Sequence, residues 1–272
     1  MILIVASAKD VASLNIREQL LAYYDFEESA EVFHNNPVYS KIINSEAVKL
    51  VTIKEEAIYY QAITDHFNPQ LIIYISRHAS KSGTPTLSVH TPGNLAEAQK
   101  GGISRKISIA PANAMKVALL EMAQQKDELS LSYQVSYECT HHGPSIDMAT
   151  MFVELGSTLT QWKDMKAAEA IAHATIKAIS PCAQNSIAAV GIGGPHYNRK
   201  FTRVALEGSF AFGHMIPKYA IPRIDEEIIR QCVERTVEQV ETIVLDWKGI
   251  RSADKPKLVK ALEAIGVEVQ RI

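Results

Sequence analysis

Hydrophobic and polar positions follow two alternating rhythms along the chain. Short, almost continuously apolar runs predict strands: ILIVAS (2–7), VKLVTI (48–53), QLIIYIS (70–76), TLSVH (86–90), YQVSYE (133–138), MFVEL (151–155) and SIAAVGI (186–192). Several are bounded by turn residues, as expected for strands covered on both faces of a sheet. Between them the apolar spacing turns helical. Residues 157–180 predict a helix opened by a capping box, Thr158 with Gln161 three positions on. Leu159, Trp162, Met165, Ile176 and Ile179 supply its apolar face. A second long helix is predicted over 223–247. It starts at Asp225, with Glu226 and Glu227 in its first turn, and Ile229, Cys232, Val233, Val237, Val240 and Val244 share one face. Pro256 opens a short helix, Gly266 stops it, and VEVQRI makes a last strand.

Strands alternating with helices imply an α/β fold with a mostly parallel central sheet flanked by helices. No internal repeat, low-complexity tract or interdomain linker interrupts the 272 residues, so a single α/β domain over 1–272 is expected. Composition changes this picture little: 47% hydrophobic and 21% charged residues are ordinary for a globular chain. Charge excludes more. A net charge of −2 rules out a bulk polycation, so any nucleic-acid contact must use local basic segments such as QKGGISRK (99–106), NRKFTR (198–203) and KGIRSADKPKLVK (248–260). Cys139, Cys182 and Cys232 are widely separated and suggest reduced thiols in a cytoplasmic protein. The opening MILIVASAKD lacks a signal-peptide pattern, and no stretch approaches the ~20 apolar residues of a membrane span.

The candidate chemistry lies at the strand ends. His78, His90, His141, His142 and His196, five of nine histidines, fall at or just after predicted strands, and His214 follows a glycine. Open α/β sheets bind ligands outside the carboxyl ends of their strands, so these segments are expected to converge there. Glu154, a carboxylate inside an apolar strand, must be paired or functional. His34, His66 and His173 read as structural; His78 alone could be a strand cap, and His90 a satisfied core histidine. GIGGP (191–195) fits neither nucleotide-binding glycine pattern, and its glycines would serve as amide donors or points of close approach. The chain has no G-x-S-x-G elbow and no H-E-x-x-H, which argues against a standard serine hydrolase or zincin. Histidines with carboxylates can hold zinc with an open position or act as bases without metal, and spacing does not choose between them.

ISRHASKSGTPTLSVHTPGN, ECTHHGPS, VELGSTLTQWKD, GIGGPHYNRKFT and GHMIPKYA together, in this order over about 70–220, resemble the archaeal and plant type of D-aminoacyl-tRNA deacylase. The resemblance implies hydrolysis of the ester between a D-amino acid and the tRNA 3′ end. It also implies zinc as cofactor and a fold similar to the phosphorylase and peptidyl-tRNA hydrolase type. It marks Gly93, Thr140 and Gly143 as motif positions and implies catalytic roles for His78, Glu138, His141, His142 and Glu154. Zinc would fall to His90, His142, His196 and His214. Substrate contacts would fall to Ser76, Arg77, Asn94, Gly193, Gly194 and Tyr197; independently of the resemblance, Arg199 and Lys200 in the basic segment 198–203 are expected to hold tRNA phosphates. Cys139 stands where alanine is expected, and SIDMATMF replaces a more proline-rich approach; neither removes a polar motif residue. Rival readings are a metal-dependent peptidase or amidohydrolase, a nucleoside phosphorylase, and a tRNA-binding module without catalysis. The last leaves the crowd of histidines unexplained.

Overall fold

The apolar runs form two sheets in the computed structural model, which describes residues 1–180 and 186–272. Strand β1 (Ile2–Ser7) leads into helix α1 (Val11–Tyr23), followed by an antiparallel meander of β2 (Glu27–Phe33), β3 (Asn36–Ile43) and β4 (Glu46–Ile53). Next come β5 (Leu71–Ala79), β6 (Thr86–His90), helix α2 (Ala112–Glu128), β7 (Gln134–Tyr137) and β8 (Ala149–Ser157). The chain continues through the short α3 (Leu159–Trp162), α4 (Met165–Lys177), β9 (Ile187–Ile192), α5 (Arg199–Glu207) and β10 (Phe210–Ile216). It ends with α6 (Glu226–Glu234), β11 (Thr242–Leu245), α7 (Lys255–Ile265) and β12 (Glu268–Arg271).

The larger sheet has the order β2-β3-β4-β1-β5-β8-β6-β7, and the smaller, all-parallel sheet has the order β10-β9-β11-β12. The α/β class with mostly parallel pairing therefore holds, divided between two sheets. Alternate residues of each strand point to opposite faces. Ile4, Ile73, Ile75, Leu87, Val89, Val153 and Leu155 pack under α1, α2 and α4, in one core cluster that continues into the small sheet through Phe201, Phe212 and Val244. The small sheet's other face, with Val190, Ile192 and Ile243, is covered by α6 and α7. The opposite face of the large sheet carries Leu3, Val5, Ile72, Tyr74 and Phe152, then turns polar toward β6 and β7.

Two predicted helices are corrected. The 157–180 helix breaks after Trp162, because the Asp164 carboxylate accepts hydrogen bonds from Lys166 N and Ala167 N and starts α4 afresh. Its Thr158–Gln161 capping box is present, but Leu159 and Met165 are exposed. The 223–247 helix is really α6 followed by β11. Asp225 caps α6 as expected, yet beyond Glu234 the chain pairs with Ala110 through Ala110 N to Arg235 O and Val237 N to Ala110 O. Val237, Val240 and Val244 fit a helical stripe by spacing alone; in TIVL (242–245) Thr242, Ile243 and Val244 are β-branched, and the segment pairs with β9 and β12. The short helix ends at Gly266 in the left-handed region (φ 73°), and the last strand follows as predicted. Cys139 and Cys232 are buried free thiols, while Cys182 lies outside the described residues.

Candidate active site

Strand direction decides where the site forms. β5 and β8 run parallel, but β6 runs antiparallel to β8 and β7 follows β6. The carboxyl ends therefore do not gather at one edge, which corrects the expectation drawn from open α/β sheets. What converges is one face. Register places Ser76, Glu154, Ser88 and Ser136 side by side across four strands, with His78 two residues along β5 and His90 two residues along β6. This row is the polar continuation of the face that carries Tyr74 and Phe152. It walls a cavity of about 510 Å³ whose lining includes Ser76, Arg77, His78, Glu138, His141, His142, Glu154, His196 and Tyr197.

Glu138, fully buried just beyond β7, is the hub. His78 Nδ1 lies 3.0 Å from its Oε1, a charge contact rather than an aligned hydrogen bond, and His196 Nε2 lies 3.1 Å from its Oε2. His141 Nε2 stands 3.8 Å from Oε2. Burial alone would raise the Glu138 carboxyl, but His78 and His196 hold it well below the usual range, so it is ionised. Glu154 differs. Burial, reinforced by the Glu138 charge, raises its carboxyl against the contact with His78 Nδ1 at 3.5 Å and the bond from Ser76 Oγ at 2.6 Å. Burial opposes charge on His78, yet the two carboxylates outweigh it and push the imidazole up to about 11. A protonated His78 donates through Nε2 to the Tyr197 hydroxyl oxygen 3.0 Å away, leaving the Tyr197 proton free for the cavity.

Beside this ionic cluster stands a neutral one. His90, His141 and His142 each bring a ring nitrogen within 4.8 Å of the others. His141 Nδ1 donates to Cys139 O (2.8 Å) and His142 Nδ1 to Gly143 O (2.7 Å), which leaves both Nε2 atoms as lone pairs. Burial lowers all three, His142 to about 4, so the imidazoles are neutral. His90 is fully buried, and neither ring nitrogen has a hydrogen-bond partner among the described residues. Leaving such a group unsatisfied costs about 1–3 kcal/mol. Neutral imidazoles whose second nitrogens are fixed by backbone carbonyls are how metal-binding histidines are commonly oriented. The residues fit zinc.

Several expected residues have other employment. His214, expected among the metal ligands, belongs to no such cluster: its Nε2 donates to Arg235 O (3.1 Å) and its Nδ1 accepts from Thr140 Oγ1 (3.0 Å). It anchors the Cys139–His142 loop instead. Gly193, expected as an oxyanion donor, spends its amide on Ile216 O, and Gly194 packs against Asn198 and Asp246, where a Cβ would come within 3.0 Å. Neither glycine lines the cavity. Asn94 directs its amide to Gly101 O and Ile103 O. Lys200 is tied to Asp246 Oδ1 at 2.6 Å and to the Ile272 carbonyl, while Arg199 is exposed at the start of α5, and neither lines this cavity or its neighbour. Arg77 lines the cavity, held by Glu56 Oε2 at 2.9 Å. Two lining or supporting residues were missed: Asp10, which accepts from Arg77 N, and Tyr219, whose hydroxyl meets His196 Nδ1 at 3.0 Å; Lys100, from the basic segment 99–106, also lines the cavity. The alternation Ser88–His90 and Ser136–Glu138 was the legible signal for a polar sheet face.

Burial pulls the His214 imidazole down to about 4 from its ordinary 6.5. The unfolded chain takes up a proton below about pH 6.5 that the folded chain refuses until about pH 4, so stability falls with acidity across that window, by about 3 kcal/mol for this residue. Below about pH 6.5, where His78 is protonated in both states, melting temperatures are expected to drop toward pH 4.5, and less so in His214→Asn; equal slopes in the two proteins would refute the neutral buried imidazole.

The model of the family described as D-aminoacyl-tRNA deacylase matches residues 65–270. A D-aminoacyl-tRNA deacylase of Thermococcus kodakarensis is 38% identical over 270 residues, covering 96% of each chain. That of Pyrococcus furiosus is 39% identical over 266 residues, covering 95% of each, and that of Archaeoglobus fulgidus is 34% identical, covering 98% of this chain and 95% of the relative. A crystal structure described as a conserved protein of unknown function superimposes with a TM-score of 0.88 at 33% identity, over 100% of this chain and 95% of that one.

Proposed function

The chain belongs to the D-aminoacyl-tRNA deacylase family, and from that premise we propose how its cavity hydrolyses the ester joining a D-amino acid to the 3′ end of tRNA. The observation that carries the reading is the pairing of an ionised buried carboxylate, Glu138, with three neutral imidazoles whose free nitrogens face one another. An aminoacyl ester is activated already, so an enzyme need only place a water, take its proton and stabilise the oxyanion.

Glu138 is the proton acceptor for that water, oriented by His78 and His196. Tyr197 replaces the glycine amides as oxyanion donor: the His78 proton at Nε2 polarises its hydroxyl, whose hydrogen faces the cavity. Glu154, braced by the Ser76 hydroxyl, fixes His78 at the cavity floor. Zinc would be held by His90, His141 and His142, with Glu138 and His196 adjoining through the shared His141. When bound there, it supplies a Lewis acid beside the ester and an open position for water. Because the substrate is tRNA, the enzyme works in the cytoplasm; no described helix is long and apolar enough to cross a membrane.

The metal assignment is testable by elemental analysis after exhaustive dialysis. Stoichiometric zinc is expected in the native protein and is lost in His90→Asn, while His214→Asn keeps it. A metal-free protein of full activity, or equal zinc in His90→Asn, would make the three imidazoles acid-base groups instead.

A further inference from the structure

A second cavity of about 300 Å³ adjoins the first. Lys100, His141, His142 and His196 line both, so these side chains form a shared wall. The two sides differ in charge. The larger cavity presents Asp10, Glu56, Glu138 and Glu154 against Arg77, Lys100 and the protonated His78, a slight excess of acidic groups, whereas the smaller presents Glu97 against Lys100 and Arg223. An aminoacyl-tRNA ester has the same asymmetry about its reacting bond: a cationic α-ammonium on one side, an anionic nucleotide on the other.

The smaller cavity also offers an aromatic platform. Tyr219 is 53% exposed, yet its hydroxyl is fixed by His196 Nδ1 at 3.0 Å, and the two rings lie 25° apart with centroids at 6.4 Å. An exposed ring pinned at one end loses little freedom when a base stacks on it. Arg223 stands exposed at the same cavity, where a guanidinium can meet a phosphate.

We propose that the ester straddles the His141–His142–His196 wall, with the amino acid in the larger, acidic cavity and the terminal adenosine of the tRNA in the smaller one. Its base stacks on Tyr219 and its 5′-phosphate lies toward Arg223 and Lys100. The assignment rests on the deacylase reading and adds a nucleotide subsite to it.

Two substrates and one ligand test it: D-aminoacyl-tRNA, the methyl ester of the same D-amino acid, and adenosine 5′-monophosphate. Tyr219→Ala is expected to raise KM for the tRNA ester about tenfold relative to the methyl ester, in line with about 1–3 kcal/mol for one stacked base. Tyr219→Phe, which keeps the ring, holds the tRNA KM near the parent value, and any change in its kcat reads the lost bond to His196. Adenosine 5′-monophosphate, titrated by calorimetry, binds the parent protein and about tenfold more weakly to Tyr219→Ala and to Arg223→Ala. The subsite is overturned if both esters suffer equally in Tyr219→Ala, or if the nucleotide binds that variant normally. It is overturned too if Tyr59→Ala, in the larger cavity, is the change that raises the tRNA KM. Nucleotide binding that depends on Tyr219 in a protein unable to cleave D-aminoacyl-tRNA would uphold the subsite and reject the deacylase reading.

Discussion

Glu138→Gln lowers kcat for D-aminoacyl-tRNA hydrolysis by about 10²–10⁴-fold, the usual cost of losing a general base. The substitution preserves volume at a site with no exposed surface, so packing is nearly unchanged. Charge is what disappears. His78, His141 and His196 all face this carboxylate, and its contact is the largest influence holding His78 protonated against burial. Without it His78 falls back toward neutrality, its Nε2 proton no longer polarises Tyr197, and proton acceptance and oxyanion donation fail together. The pH profile checks this: KM stays close to the parent value while kcat falls at every pH. A variant with ordinary kcat would remove Glu138 from the chemistry.

His142→Ala has a comparable expected effect for a different reason. Its side chain makes one hydrogen bond, to the carbonyl of the next residue, and shares the free-nitrogen cluster with His90 and His141. Removing it loses about 10²–10⁴ in rate and most of the bound zinc, while the fold survives. The backbone bond from Gly93 N to His142 O remains, and the left-handed backbone at φ 47° is one that His142 already adopts, so alanine there adds little strain. Single-turnover kinetics beside a melting curve separate the two: a folded protein with near-normal turnover would contradict the assignment.

Much of this was legible in residues whose neighbours lie close in sequence. The apolar runs became strands, the Thr158–Gln161 box formed, and Gly266 ended its helix, because propensity and capping are local. Periodicity also places Ser76, His78, Glu154, Ser88, His90, Ser136 and Glu138 on alternating positions. It cannot reveal that β6 and β7 run against β8, so a single sheet face gathers them rather than a common edge. Partners distant in sequence escaped the pattern for a related reason. His214 meets Thr140 across 74 residues, Lys200 meets Asp246 across 46, and the Gly193 amide is consumed by backbone pairing; no side-chain pattern records any of these. In 223–247, valines spaced for a helix stripe were also β-branched residues suited to a strand, and pairing with β9 and β12 prevailed.

The central claim is that this histidine–carboxylate cavity cleaves the D-aminoacyl ester of tRNA. Its most direct test follows ester loss from matched D- and L-aminoacyl-tRNA with the parent protein and with Glu138→Gln. The account predicts rapid release of the D-amino acid by the parent, a spared L-ester, and decay at the spontaneous rate with Glu138→Gln. Spontaneous decay of the D-ester in the presence of the parent protein, or equal cleavage by the variant, would contradict it.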